Sequence, residues 1–461
     1  MPLHKVVKSS AEIRSHIVYT SRLSTGCLPK FEIPEQGSSP TAAAALVRDE
    51  LIFDGSSRLN LATFCTTWIE PEVRELMSAC LDKNMIDKDE YPQSAEIESR
   101  CVHILAALWH APGACTTVGC STTGSSEAAL LGGLALKWNW RKRRQSAGKP
   151  ADRPNLVCGP VQVCWHKFAR YFDVELRQVP LERDATGMRP HQLRKYCDEN
   201  TIGVVPTLGV TFTGTYEPVK DICHALDELQ RATGLDIPVH VDGASGGFIA
   251  PFIQPEIEWD FRLERVKSIN ASGHKYGLAP LGVGWVIWRD SEQLPEELIF
   301  RVDYLGGDMP TFALNFSRPG GEIIAQYYNF IRYGRDGYRG IQQACVDTAR
   351  FLAGEIEDMG PFQVLYDGQG GLPAVSYTLK DPGGGLSLYD LSDRLRMRGW
   401  QIASYPLPAD RADTIVQRVM IRYGVSHDMI SVLAEDMRRA LAQLAKRAPS
   451  AASEHHPGFH H

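Results

Sequence analysis

The spacing of apolar positions changes several times along the chain. In "SAEIESRCVHILAALWH" (94–110) and "SSEAALLGGLALKWNWRKRR" (125–144) apolar residues return every three or four positions, which predicts helices. The runs "NLVCG", "VELRQVP", "IGVVPTLG" and "IPVHVDGA" are short and rich in β-branched residues, so they predict strands, with a further helix in "DICHALDELQRATG". From about 61 to 335 this alternation predicts an α/β domain with a mainly parallel sheet, covered by helices on both faces. Beyond "YGRDGYRG" the texture becomes long helices ("IQQACVDTARFLAGEIEDMG", "SLYDLSDRLRMRG", "DMISVLAEDMRRALAQLAKR") between short strand candidates, which predicts a smaller α+β domain over 336–448. Residues 1–60 read as a leader whose helical pattern, "TAAAALVRDELIFDG", is ended by Gly55. Residues 449–461 are small, polar and His-rich, and predict a mobile tail.

Composition narrows the function classes. With 461 residues and 43% hydrophobic content the chain can bury a large core, and a formal net charge of -6 offers no basic face for nucleic acid. The eleven cysteines are odd in number and contain no C-x-x-C pair or zinc spacing, as expected of reduced thiols in a cytoplasmic protein without a metal. No run approaches the ~18 apolar residues of a membrane span, and the N-terminus lacks a signal-peptide core, so no integral membrane association is expected.

Candidate chemistry begins at "SINASGHKYGLAP". A lone lysine in a loop is usually a solvated charge, but Lys275 lies between two apolar strand candidates. Desolvation there lowers the pKa and supplies the neutral amine that a Schiff-base lysine needs. Thirty-three residues earlier (275 − 242), "VHVDGASGG" ends a strand in Asp242, where α/β sheets bind ligands. In "STTGSSEAALLGG", Ser125 and Ser126 open a helix whose free N–H groups suit an anion. With no Walker or G-x-G-x-x-G motif, a single phosphate fits that site better than a nucleotide. A lysine, an acid and a phosphate site together describe pyridoxal 5'-phosphate. Lys275 would bind its aldehyde, Asp242 would keep the ring nitrogen protonated, and Ser125 and Ser126 would hold its phosphate. Ala244 is small enough to lie against the ring face, and His274 stands ready to donate to the phosphate or a substrate carboxylate.

The motifs "NLATF", "KNMIDKDEYPQSA", "GSSEA", "NTIGVVPTLGVTFTGTYE", "DGASGGFIAPF", "ASGHKYGLAPLG" and "NFSRPGG" lie in a stretch running from "FDGSSRLNLATFCTTW" to "VMIRYG". Over that stretch the chain closely resembles the bacterial-type glutamate decarboxylases, pyridoxal-phosphate enzymes of the aspartate-aminotransferase-like fold (fold type I). The resemblance implies decarboxylation of L-glutamate to 4-aminobutyrate, with one proton consumed per turnover and hence a link to acid tolerance. It implies that Gln162 lies over the cofactor ring, that Thr211 contacts the cofactor, and that Ser317 reaches the phosphate of a neighbouring subunit. Thr63, Phe64, Asn84 and Asp87 would line the pocket for the substrate's distal carboxylate, and Arg422 would bind a substrate carboxylate. His460 would occupy the place of a penultimate histidine that closes the site at neutral pH. A homo-oligomer is implied, a dimer at least with a hexamer left open, and the basic tryptophan-bearing tail that binds calmodulin in plant relatives is absent. Ring-binding residues do not encode the substrate side chain, so a decarboxylase of another amino acid is the nearest competing assignment. A non-catalytic binding protein of the same fold is a more distant one.

Overall fold

The structure is a computed structural model that describes residues 29–303 and 309–446. Two compact units are distinguished, Met1–Ser57 and Arg58–His461. Within the first, helix α1 (Pro40–Leu51) starts from a Ser39 cap that accepts from the Ala42 N–H, and none of its side chains is buried. It stops at Leu51, four residues short of the Gly55 stop expected from sequence (55 − 51).

In the second unit, α2 (Pro71–Ser78) and α3 (Pro92–Leu108) each begin with proline, whose missing N–H costs nothing in a first turn. A seven-stranded sheet follows, built from β1 (Gly119–Thr122), β2 (Asn155–Cys158), β3 (Glu175–Gln178), β4 (Thr201–Val205), β5 (Val239–Asp242), β6 (Val266–Ser272) and β7 (Gly284–Trp288). Its order is β1-β7-β6-β5-β4-β2-β3, parallel except where β7 runs antiparallel to both β1 and β6. Helices α4 (Ser125–Ser146), α5 (Val163–Tyr171), α6 (Leu193–Tyr196), α7 (Val219–Thr233) and α8 (Ala250–Ile253) intervene between strands. Alternation along the strands divides them between two cores. Leu156, Cys158, Val286 and Trp288 pack with α4 and α5, whereas Val157, Val241, Trp285 and Ile287 pack with α3, α7 and α8. Both faces of the sheet are thus covered, and polar ligands can approach only at strand ends.

Beyond a two-stranded ribbon, β8 (Phe300–Val302) with β9 (Met309–Thr311), helix α9 runs over Gly321–Asp358 and is broken at Gly334 (φ 55°, ψ -171°). Ile323 and Tyr338 belong to the core of the large sheet, while Cys345, Leu352 and Ile356 belong to that of a second sheet. This second sheet is fully antiparallel, in the order β10-β11-β13-β12: β10 (Phe362–Tyr366), β11 (Ala374–Leu379), β12 (Ala403–Pro406) and β13 (Ile415–Met420). It is covered by α10 (Leu388–Arg396) and α11 (His427–Leu444). Among the described residues all cysteines are free, and no helix is long and apolar enough to cross a membrane.

Candidate active site

Three chain segments meet at one end of the large sheet: the last residues of β5 and β6, and the first turn of α4. Asp242, 3% exposed, closes β5. Its Oδ2 accepts from Trp165 Nε1 (2.8 Å), and its Oδ1 accepts from Asn270 Nδ2 (3.0 Å) and the Ala244 N–H (3.1 Å). Three donors thus fix both oxygens of the buried carboxyl in place. Asn270, in β6, also donates to Ser125 Oγ (2.6 Å), so the acid and the helix start are joined through a single side chain. α4 can start this close to the sheet because β7 carries Gly284 there. A Cβ on that glycine would stand 2.3 Å from the Gly124 carbonyl carbon.

Lys275 stands in the turn between β6 and β7. The turn is held from α9: Gln326 Nε2 and Tyr338 Oη donate to the Gly277 carbonyl (2.9 and 2.8 Å), and Gln342 Nε2 donates to that of Tyr276 (2.9 Å). These bonds support Leu278 in a left-handed backbone (φ 65°), which costs a non-glycine residue on the order of 1 kcal/mol. Lys275 Nζ approaches Ser245 Oγ (3.4 Å) and sits 5.0 Å from the centre of the Phe64 ring. Burial lowers the Lys275 pKa, while Asp242 opposes the shift. His274 is pushed down to about 4, chiefly by burial and then by Lys275, and its Nδ1 is buried without a partner.

The segment Leu61–Thr66 runs along this turn, with the Thr66 N–H donating to the His274 carbonyl (2.8 Å). Thr63 Oγ1 accepts from the Cys65 N–H (3.3 Å). The Phe64 ring carries Arg418 on it (Cζ 4.3 Å from the centroid) as well as facing Lys275. Arg418, in β13, is 5% exposed and donates to the Ala62 carbonyl (2.9 Å). Arg422 is 1% exposed among Tyr276, Cys65 and Cys345, and burial lowers its pKa. Gln162 caps α5 through its side chain, and the following Cys164 lies within electrostatic reach of Asp242 and Lys275. Ser126 is exposed beside Ser125, and Thr211 is half-buried in the loop after β4.

Asn84, Asp87 and Ser317 behave differently. Asn84 Nδ2 donates to Ser317 Oγ (3.3 Å), and Asn84 Oδ1 accepts from the Arg318 N–H (3.1 Å). Arg318 in turn reaches β1, where it donates to the Ser121 carbonyl (2.6 Å) and pairs with Glu98 (3.5 Å). Among the described residues, none of the three hydrogen-bonds to Asp242 or the Lys275 turn. His460 lies outside the described residues.

Pyridoxal phosphate fits these donors. The register places Ser272 opposite Gly284, the residue that abuts Gly124, and two positions along from Asn270, hence on the strand face turned toward α4. Ser272 Oγ and His274 Nδ1 are both buried without a partner, and a Cβ at Gly124 would stand 3.2 Å from His274 Cε1. Two unsatisfied buried polar atoms beside an open helix N-terminus are what a phosphate would satisfy. Trp165, Asn270, Ser272, Ser245 and Arg418 were not selected from sequence. The period-2 pattern "SINAS" holds Asn270 and Ser272 on one face, and was the signal that could have marked them.

Known proteins resemble the chain over most of its length. The pyridoxal-dependent decarboxylase conserved domain matches residues 35–380. The chain is 60% identical to a glutamate decarboxylase of Aliivibrio fischeri over 100% of both chains, and 49% identical to one of Lactococcus lactis over 91% of both. A solved glutamate decarboxylase of Lactobacillus brevis superposes with a TM-score of 0.90 at 47% identity, covering 94% of this chain and 98% of the other. A sphingosine-1-phosphate lyase of Burkholderia pseudomallei shares the fold at 23% identity and a TM-score of 0.75.

Proposed function

The chain belongs to the pyridoxal-dependent decarboxylases, and from that membership we infer that it removes the α-carboxyl group of L-glutamate, yielding 4-aminobutyrate and CO₂ with uptake of one proton. Full-length 60% identity to a glutamate decarboxylase carries the assignment. Bound pyridoxal phosphate supplies an aldehyde that captures the substrate amine and a protonated ring that draws electrons from Cα.

The residues share the remaining work. Lys275, its pKa lowered by burial, is the amine that holds the cofactor's aldehyde. Asp242 holds the proton at the ring nitrogen, with its own oxygens fixed by Trp165 and Asn270. Ser125, Ser126, Ser272 and His274 bind the phosphate. Ala244 and Gln162 bracket the ring, and Thr211 contacts the cofactor. Arg422 orients the carboxylate that departs, and Thr63, Phe64, Asn84 and Asp87 hold the distal one. Residues 61–335 form the cofactor domain and 336–448 the small domain.

Ser317 serves a neighbouring copy, so the working unit is a homodimer or larger, in the cytoplasm. Two observations support this: Ser317 is exposed, flanked by Leu314 and Phe316 at 46% and 43% exposure, and it is wired to Asn84 and not to its own Lys275. The direct test is to mix the purified protein with pyridoxal phosphate and glutamate and to measure CO₂ and 4-aminobutyrate. Aspartate and aromatic amino acids, run alongside, should give little product. Equal turnover of any of them would refute the substrate assignment.

A further inference from the structure

Behind Asp242 and Ser125 lies a closed chain of polar groups in which every proton has one place to go. Asn270, fully buried, makes three side-chain bonds: Nδ2 to Ser125 Oγ (2.6 Å), Nδ2 to Asp242 Oδ1 (3.0 Å), and Oδ1 with His240 Nε2 (2.7 Å). The opposite orientation of the amide would set its oxygen against the Asp242 carboxylate, so both amide protons point to Ser125 and Asp242. Oδ1 then requires a donor, which makes His240 the Nε2–H tautomer. His240 Nδ1 accepts from the Ser268 hydroxyl (2.7 Å). Burial lowers the His240 pKa and keeps the ring neutral, as this pattern demands. The ring is locked from above: a Cβ at Gly132 of α4 would stand 2.3 Å from His240 Cε1, and the Trp165 ring meets it edge-on at 5.3 Å. Ser125, accepting from Asn270, keeps its own hydroxyl proton for another acceptor.

Resting on the assignment above, we propose that Asn270, oriented by His240, is the positioning residue for both poles of the cofactor site. Through one amide it fixes Asp242 as acceptor for the ring nitrogen and Ser125 as donor to the phosphate. The two poles are then coupled, so damage to the amide weakens ring binding and phosphate binding together.

The test compares cofactor-free wild type, Asn270→Asp, His240→Gln and His240→Leu, titrated separately with pyridoxal phosphate and with pyridoxal, which lacks the phosphate. Binding is followed by protein fluorescence and by the absorption band of the lysine-bound cofactor. Asn270→Asp keeps size but loses both donors, and should weaken pyridoxal phosphate by about a hundredfold and pyridoxal by about tenfold. His240→Gln keeps an N–H toward Asn270 Oδ1 and should stay within about threefold of wild type, whereas His240→Leu should fall toward Asn270→Asp. A merely structural role would not let the glutamine variant rescue binding while the leucine variant fails. Wild-type affinities in Asn270→Asp, a loss confined to pyridoxal phosphate, or equal behaviour of the two His240 variants would each overturn the coupling. Should Asn270→Asp fail to fold, the His240 pair decides alone. Failure of the wild type itself to bind pyridoxal phosphate at Lys275 would instead sink the cofactor assignment, so the two failures are distinguishable.

Discussion

The ends of β5 and β6 and the Asn84–Ser317 pair were both expected to serve one site, yet the fold treats them differently. At the strand ends every oxygen of Asp242 is engaged, Asn270 and His240 are buried without slack, and Lys275 sits in a turn fixed by three donors from α9. Asn84 and Ser317 instead bond to one another, with Ser317 exposed. The difference separates side chains locked into the end of the sheet from a pair displayed at the surface. Covalent geometry must be held within tenths of an ångström, which favours rigid strand ends.

Predictions follow the same contrast, from the cofactor pole outward. Lys275→Ala should abolish covalent cofactor capture and nearly all CO₂ release, measured by absorbance and gas evolution. Asp242→Asn should retain cofactor but lose kcat by on the order of a hundredfold, because a neutral amide cannot hold the ring proton. Unchanged kcat at full cofactor content would break the contrast at its stronger end. Ser317→Ala should weaken cofactor affinity by about tenfold, the loss of one hydrogen bond to a charged group, with kcat at saturation near normal. An equal effect in monomer isolated at high dilution would move Ser317 to its own chain's site. Phe64→Ala should raise KM for glutamate by roughly fivefold, since the ring proposed to line the distal-carboxylate pocket, with Arg418 packed on it, is then lost.

The smallest effect concerns pH. The His274 pKa in the folded, cofactor-free chain is about 4, below the ordinary value near 6.5, so the stability from its neutral form is complete above pH 6.5. That stability is lost as pH falls toward 4. Cofactor-free His274→Asn should therefore lose about 1–2 kcal/mol less than wild type between pH 6.5 and 4.5 in urea titrations.

Much of this was legible in the chain before folding. Lys275 and Asp242 stood out because apolar runs flank a charged residue, which has a physical cost that only chemistry or pairing repays. The alternation of strands and helices gave the covered sheet. Three things required coordinates. β1, "GCST", is too short and polar to register as a strand, so the antiparallel placement of β7 beside it was not anticipated. Asn270 and Ser272 alternate with Ile269 and Ala271 like any strand's polar side, and only the pairing of β6 with β7 turns that side toward α4. Arg418 sits in β13, more than 140 residues beyond the lysine it neighbours (418 − 275 = 143), where no local pattern links them.

The account stands most directly on the identity of the lysine that carries the cofactor. The wild-type protein, loaded with pyridoxal phosphate, should be reduced with borohydride, digested, and its labelled peptide sequenced. The label is predicted on Lys275, within "ASGHKYGLAPLG", in stoichiometric amount. Recovery of the label on another lysine, or none after reduction of a protein that releases CO₂ from glutamate, would contradict the account.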